Sequence, residues 1–183
     1  MFYLDPANGK SEVIDIAKKM SIDDVSITDL FVDGDDIWLA TNKYGIVHYR
    51  KDEGISNHFY QPGNKINYNS IIRLIPGNDE WMWAGTKNNF LHKINRKTGK
   101  SIVFDEYKDS VYHHATLYDI LQEGKDTLWL ATAVGGLQLL DTSTGEIEFI
   151  SNDDIPDGIA YNSLLSLYRS SNDILWVGTN GKG

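Results

Sequence analysis

The chain has 183 residues, 41% of them hydrophobic and 23% charged, with a formal net charge of −9 and no cysteine. This composition allows a sizeable buried core but excludes a disulfide framework and any cysteine-based metal site. The acidic balance argues against nucleic acid and anionic membrane as partners, no apolar run approaches the ~20 residues of a transmembrane helix, and Met1-Phe2-Tyr3-Leu4-Asp5 does not show a basic-then-apolar signal pattern.

The first residues are read through later ones. Leu4-Asp5-Pro6-Ala7-Asn8-Gly9-Lys10 matches Leu140-Asp141-Thr142-Ser143-Thr144-Gly145-Glu146, so the opening is expected to be the third strand of a repeat. Ser11 to Met20 looks amphipathic, yet the repeat register places its first half on an outer strand. From Ser26 a complete unit unfolds. A strand from Ser26 to Val32 ends at the turn cluster Asp33-Gly34-Asp35-Asp36, and a second runs from Ile37 to Thr41. After the loop Asn42-Lys43-Tyr44-Gly45 come a third strand, Ile46 to Arg50, a turn closing at Gly54 and a fourth strand, Ile55 to Tyr60. Four short strands in ~46 residues fit an antiparallel meander.

The unit then recurs. Trp38-Leu39-Ala40-Thr41, Trp83-Ala84-Gly85-Thr86, Trp129-Leu130-Ala131-Thr132 and Trp176-Val177-Gly178-Thr179 stand 45, 46 and 47 residues apart. A glycine follows 16 residues after each of the first three tryptophans, at Gly54, Gly99 and Gly145. Another follows seven after three of the four, at Gly45, Gly136 and Gly183, with Phe90 in the second copy. A small hydroxylated residue lies 12 or 13 positions upstream, at Ser26, Ser70, Thr116 and Ser163. This period is that of a β-propeller blade, so the predicted fold is all-β, with four-stranded antiparallel blades and about four blade periods of a larger propeller. The expected division is a trailing half-blade (1–20), three blades (21–62, 63–108 and 109–152) and a leading half-blade (153–183). Both ends fall within a repeat, which reads as a piece of a longer polypeptide.

Alternation on the strand puts Trp38 and Ala40 on one face, with Leu39 and Ile37 on the other. A large ring beside a small residue suits interdigitation with the next sheet, and the Ala/Gly choice at Ala40, Gly85, Ala131 and Gly178 keeps clearance. Trp38, Trp83, Trp129 and Trp176 are therefore read as blade packing, each ring contributing a few kcal/mol by area burial (about 25 cal/mol per Å²), and not as ligand platforms.

The phrase Asp-Thr-Leu-Trp-Leu-Ala-Thr-Ala-Val-Gly-Gly-Leu-Gln-Leu-Leu-Asp-Thr-Ser-Thr-Gly at 126–145 resembles the two-component regulator propeller repeat. Less complete copies stand at 36–54, 80–99 and 173–183; the second departs most, with Asn88-Asn89-Phe90 where the glycine pair is expected. The resemblance implies the periplasmic sensor of a hybrid two-component histidine kinase of the Bacteroidetes type. In that family two propellers precede a β-sandwich, a membrane helix and cytoplasmic kinase modules, and ligands are often oligosaccharides. It implies no catalytic residue in this segment, contact with a membrane only through other parts of a parent chain, and no cofactor.

Enzyme-like signals weigh little beside this. Gly9-Lys10-Ser11 and Gly99-Lys100-Ser101 end like a phosphate-binding loop, but Leu4 and Ile94 stand where its earlier glycine belongs, and both triplets fall on the turn between third and fourth strands. His113-His114 is the one histidine pair, and neighbours on a strand point to opposite faces, so chelation of a metal is not expected. Asp33-Gly34-Asp35-Asp36 and Asn152-Asp153-Asp154 offer oxygen ligands without the glycine and distal glutamate of a calcium loop.

Ligands of propellers usually meet one face, built from the loops between second and third strands and from the blade connectors. Here these are Asn42-Lys43-Tyr44, Lys87-Asn88-Asn89, Ala133-Val134 and Asn180-Gly181-Lys182, with 64–69, Tyr112-His113-His114 and 159–162. Amides and amines bond sugar hydroxyls while aromatic rings stack on apolar sugar faces. The candidate ligand contacts are therefore Asn42, Lys43, Tyr44, Tyr68, Lys87, Asn88, His113, His114 and Tyr161. The leading function is ligand sensing outside the cytoplasm, with a glycan as the expected small-molecule partner. A protein-interaction propeller is the second reading, and a lyase or quinoprotein the third; Ile102-Val103-Phe104 after Thr98-Gly99-Lys100 departs from the quinoprotein pattern. An open arc would leave blade edges and apolar faces uncovered, so self-association, as two arcs sharing a ring, is expected.

Overall fold

A computed structural model describes residues 1–59, 70–78, 80–87, 91–104, 116–151 and 158–181. Three four-stranded antiparallel sheets follow one another along the chain. The first comprises β3 (Ile27–Asp33), β4 (Asp36–Thr41), β5 (Ile46–Arg50) and β6 (Gly54–Phe59); to label by chain order, β1 (Phe2–Leu4) and β2 (Ser11–Val13) precede it as a two-stranded sheet. The second holds β7 (Ile71–Pro76), β8 (Trp81–Thr86), β9 (Leu91–Asn95) and β10 (Ser101–Phe104), and the third β11 (Leu117–Glu123), β12 (Thr127–Thr132), β13 (Leu137–Asp141) and β14 (Ile147–Ile150). A second pair, β15 (Leu164–Arg169) and β16 (Leu175–Thr179), comes last. Each sheet is a meander in chain order, and β3, β7, β11 and β15 touch in succession, so they are the innermost strands of consecutive propeller blades.

Turn chemistry sets the strand boundaries. Gly34 turns β3 into β4 with φ 61°, a conformation that costs a glycine little, and Asp33 pairs with Asp36 across it. The second-to-third-strand register is constant: Trp38 faces His48, Trp83 faces Lys93 and Trp129 faces Leu139. Gly9-Lys10-Ser11 and Gly99-Lys100-Ser101 are hairpin turns, closed by Gly9 N–H to the Asp5 carbonyl (2.8 Å) and Gly99 N–H to the Asn95 carbonyl (2.9 Å). Ser11 to Met20 divides: its start is β2, but its second half forms a five-residue helix, α1 (Ile16–Met20). Asp15 caps it through its side chain to the Lys18 N–H (3.0 Å), and Ser21 ends it in the left-handed region.

The cores lie between blades. Trp38, Ala40 and Ile46 of the first blade meet Ile71, Leu74, Met82 and Ala84 of the second. Trp83 and Leu91 meet Leu117, Ile120, Leu128 and Leu130 of the third. Ala131 and Leu137, with Trp129, meet Leu164 and Leu167 of the last pair. On the other side of the first blade, Leu39, Val47 and Tyr49 are covered by Ile14 and by Ile16 of the helix. The alternation of Trp38 and Leu39 between faces is thus the alternation between two interblade layers. Trp38 and Trp83 are 3% and 4% exposed, whereas Trp176 is 61% exposed. A Cβ on Gly85 would come within 2.9 Å of Leu117 Cδ2, which explains the small residue there.

Candidate functional site

The tetrapeptide's last residue builds the loop that follows it. The buried Thr41 hydroxyl donates to the Gly45 carbonyl (2.9 Å) and accepts from the Tyr44 N–H (2.9 Å). Thr132 repeats this with the Gly136 carbonyl (3.1 Å) and the Gly135 N–H (2.8 Å). Gly45 and Gly136 close these loops at φ 68° and 71°.

The recurrent Ser/Thr upstream anchors the same loops from the inner strand. Its carbonyl accepts the N–H of the residue after the threonine in all four repeats: Asn42 to Ser26 (3.0 Å), Lys87 to Ser70 (3.2 Å), Ala133 to Thr116 (2.9 Å) and Asn180 to Ser163 (2.8 Å). Two hydroxyls also reach back to the preceding blade. Ser70 Oγ donates to Asn42 Oδ1 (2.9 Å), and Thr116 Oγ1 donates to the Lys87 carbonyl (2.8 Å).

At the first of these loops, Asn42, Lys43 and Tyr44 line a cavity of ≈ 290 Å³ together with Asp23, Asp24 and Ser26. The loop is further fixed by His58, whose Nε2 lies 2.6 Å from the Tyr44 carbonyl. The cavity joins two carboxylates, an amine, an amide, a hydroxyl and a phenol ring, groups able to hydrogen-bond a polyol and offer it one aromatic surface. Asp23 and Asp24 were not among the expected contacts. They sit in the connector after the helix, three and two residues before Ser26, the offsets at which His113 and His114 precede Thr116.

The other expected contacts are distributed. Lys87 occupies the matching place on the second blade, with its backbone tied to Ser70, and Tyr161 stands by the last loop, 3.9 Å from where a Cβ on Gly181 would lie. Antiparallel topology puts these loops at one end of the blades, but Lys87 and Tyr161 are not among the residues lining the Asn42 cavity. Tyr68, Asn88, His113 and His114 lie outside the described residues, as does Asn152-Asp153-Asp154.

A second polar concavity, of ≈ 270 Å³, lies among the innermost strands and is lined by Thr28, Asp29, Ile72, Arg73, Tyr118, Asp119, Leu165 and Ser166. Each of these strands has an irregularity at the same place, between Ile27 and Asp29, Ile71 and Arg73, Leu117 and Asp119, and Leu164 and Ser166. Asp29 Oδ2 accepts from the Leu74 N–H (2.8 Å) and Asp119 Oδ2 from the Leu167 N–H (2.7 Å), each in the next blade. Arg73 lies between them, 3.0 Å from Asp29 and 2.7 Å from Asp119. Asp29 and Asp119 thus tie neighbouring blades through backbone N–H groups and through Arg73, which makes this set a blade-to-blade latch. Sequence inspection missed it, although Asp29, Arg73, Asp119 and Ser166 each stand three residues after the recurrent Ser/Thr.

The remaining titratable clusters are structural. Asp33 and Asp36, weighed above as oxygen ligands, are already engaged: Arg96 pairs with Asp33 (2.6 Å) and Arg50 with Asp36 (3.2 Å), and His48 Nε2 lies 2.7 Å from Asp36 Oδ1. The His48 ring also meets Ser56 Oγ (2.6 Å) and lies flat on Trp38 at 4.1 Å, so this chain braces β4, β5 and β6. His92 is buried in the layer between the first two blades, and desolvation lowers its pKa to about 4. Among the described residues no group of three or more His, Asp and Glu side chains could hold a metal ion, and no helix is long and apolar enough to cross a membrane.

No family model matches the chain, and no curated protein matches it significantly. Its fold is similar to that of solved propellers. The extracellular domain of a protein described as a hybrid two component system of B. thetaiotaomicron aligns at TM-score 0.77 and 21% identity, over 100% of this chain and 23% of that one. The extracellular domain of a protein described as a one component system of the same organism aligns at 0.78 and 16%, over 97% and 23%. PorZ, a surface component of the type-IX secretion system of Porphyromonas gingivalis, aligns at 0.71 and 18%, over 98% and 28%. The chain thus spans about a quarter of the length of these proteins.

Proposed function

We propose that residues 1–183 are a ligand-sensing segment of an extracytoplasmic, periplasmic propeller that controls a two-component histidine kinase, and that the ligand is a saccharide met by the loop face. The segment itself is non-catalytic; the signal passes to kinase modules outside these residues. The repeat units are taken as 1–20, 21–62, 63–108, 109–152 and 153–183. The observation that carries the reading is the Asn42-Lys43-Tyr44 cavity with Asp23, Asp24 and Ser26, at the end of the blades where the other second-to-third-strand loops also lie. The likeness to extracellular sensor propellers supports the placement outside the cytoplasm.

Tyr44 would stack on an apolar sugar face while Asn42 and the carboxylates bond hydroxyls. Titration calorimetry against neutral, amino and acidic oligosaccharides should find one class that binds. Tyr44→Ala should weaken it by about tenfold or more, the loss of one aromatic anchor. Binding unchanged in Tyr44→Ala and Asn42→Ala would remove this cavity as the site. A chain that binds no saccharide but captures a protein would favour the interaction-propeller reading.

A further inference from the structure

Asn42 brings the amide to the loop cavity, and an amide presents an acceptor or a donor according to how its plane is oriented. Here the orientation is fixed from the neighbouring blade. Ser70 Oγ donates to Asn42 Oδ1 (2.9 Å), and Ser70 is 7% exposed, so little solvent competes for this bond. The next junction shows that the direction belongs to the repeat. There Thr116 Oγ1 donates to the Lys87 carbonyl (2.8 Å), an oxygen that can only accept. Asn42 thus has its oxygen held by the second blade and its backbone N–H given to the Ser26 carbonyl (3.0 Å). Nδ2 is the atom left for a ligand, and an amide NH2 donates and does not accept.

The rest of the lining narrows what this donor meets. Asp23 and Asp24 are acceptors, Lys43 is a donor and Tyr44 supplies a ring. Two carboxylates against one ammonium leave the lining acidic, which disfavours a carboxylate on the ligand. A neutral group that sets a strong acceptor beside a donor fits both sides. A secondary amide is such a group: its carbonyl takes the Asn42 N–H, and its own N–H is offered to a carboxylate. In a saccharide that group is the acetamido substituent of an N-acetylated amino sugar.

We propose that Ser70 sets the specificity of this cavity by fixing Asn42 as a donor, and that the saccharide sensed there carries an acetamido group. The inference rests on the reading of the cavity as a saccharide site. Ser70 is not among the residues lining the cavity and acts through Asn42, as a positioning residue. The contact chemistry of the first blade's loop is thereby decided in the second blade.

Calorimetry of the whole chain with oligomers of N-acetylglucosamine and N-acetylgalactosamine, against oligomers of glucose, galactose and galacturonate, reads the preference directly. One N-acetylated series should bind about tenfold or more tighter than its hydroxyl counterpart. Asn42→Asp keeps an oxygen for Ser70 and replaces the donor by an acceptor, so the preference should vanish while the sheet circular-dichroism spectrum stays unchanged. Ser70→Ala should lower the preference several-fold, and Ser70→Thr, the residue type of the third blade at this place, should retain it. A merely structural role would weaken all saccharides alike and leave the ratio where it was. An unchanged ratio in Asn42→Asp or Ser70→Ala overturns the proposal. So does a preference for the glucose, galactose or galacturonate series that is lost in Tyr44→Ala, a result that keeps the saccharide site itself. A chain that binds none of these saccharides removes the site and this inference together.

Discussion

Asp119 shows how much one side chain holds. One carboxylate oxygen takes the Leu167 N–H of the next blade and the other faces Arg73 and the Ile120 N–H, with the whole residue buried. Asp119→Ala should destabilise by about 2 kcal/mol or more in denaturant titration, because a buried donor and a cation lose their partner together. His92 makes a different forecast. It stays neutral in the folded protein down to about pH 4, while in the unfolded chain it takes a proton near 6.5. Below 6.5 the unfolded state binds more protons, so this contribution is complete above 6.5 and falls away towards pH 4, by about 3 kcal/mol at most. In His92→Leu protein the stability should vary less steeply across that window than in the unmodified chain, and an identical slope would refute the assignment.

Among elements, the interblade layers set the tolerance to change. Gly85 packs its backbone on Leu117 and Ile120, so Gly85→Ala should cost about 1–3 kcal/mol through overpacking, measured as a lower unfolding midpoint. The same position already holds alanine in the first and third blades, at Ala40 and Ala131, so the cost belongs to this layer and not to the strand. Elements that repeat residue identity were legible in advance: tryptophan, threonine and the turn glycines recur at one spacing, and the strands between them follow. The latch was not, because one geometric place holds Asp29, Arg73, Asp119 and Ser166 in turn, and only its offset from the Ser/Thr is constant. Helix α1 escaped for another reason. Five residues cannot display a helical period, and what fixes it is the Asp15 cap and the burial of Ile16 against the first blade. Half of the Asn42 cavity was foreseeable from its loop; Asp23 and Asp24 hold the offsets before Ser26 that His113 and His114 hold before Thr116, but the residue type changes from blade to blade, so identity does not mark the place.

At the scale of the whole molecule, the layers run in one direction. Each blade presents its tryptophan face forward, and two hydroxyls and two inner carboxylates grip across blade boundaries: Asn42 is held by Ser70, Lys87 by Thr116, Leu74 by Asp29 and Leu167 by Asp119. Stability should therefore be close to additive over neighbouring blades. Asp29→Ala and Asp119→Ala, which act at different junctions, should sum to the double substitution unless Arg73, shared by both, couples them. A double-mutant cycle departing from additivity by more than about 0.5 kcal/mol would measure that coupling.

The closed ring of hydrogen bonds around Thr41 and Thr132 has a consequence for how such a chain diversifies. The frame is threonine, three residues and a glycine, and none of its hydrogen bonds uses an inner side chain. Asn42-Lys43-Tyr44 and Ala133-Val134-Gly135 therefore sit in the same frame, although Asn42 Oδ1 also accepts from Ser70 Oγ of the next blade (2.9 Å). Writing the first in place of the second should leave the third blade's unfolding midpoint nearly unchanged while moving a chemical surface from one sector of the rim to another. The chemistry of the rim can then change one triplet at a time over one threonine–glycine frame.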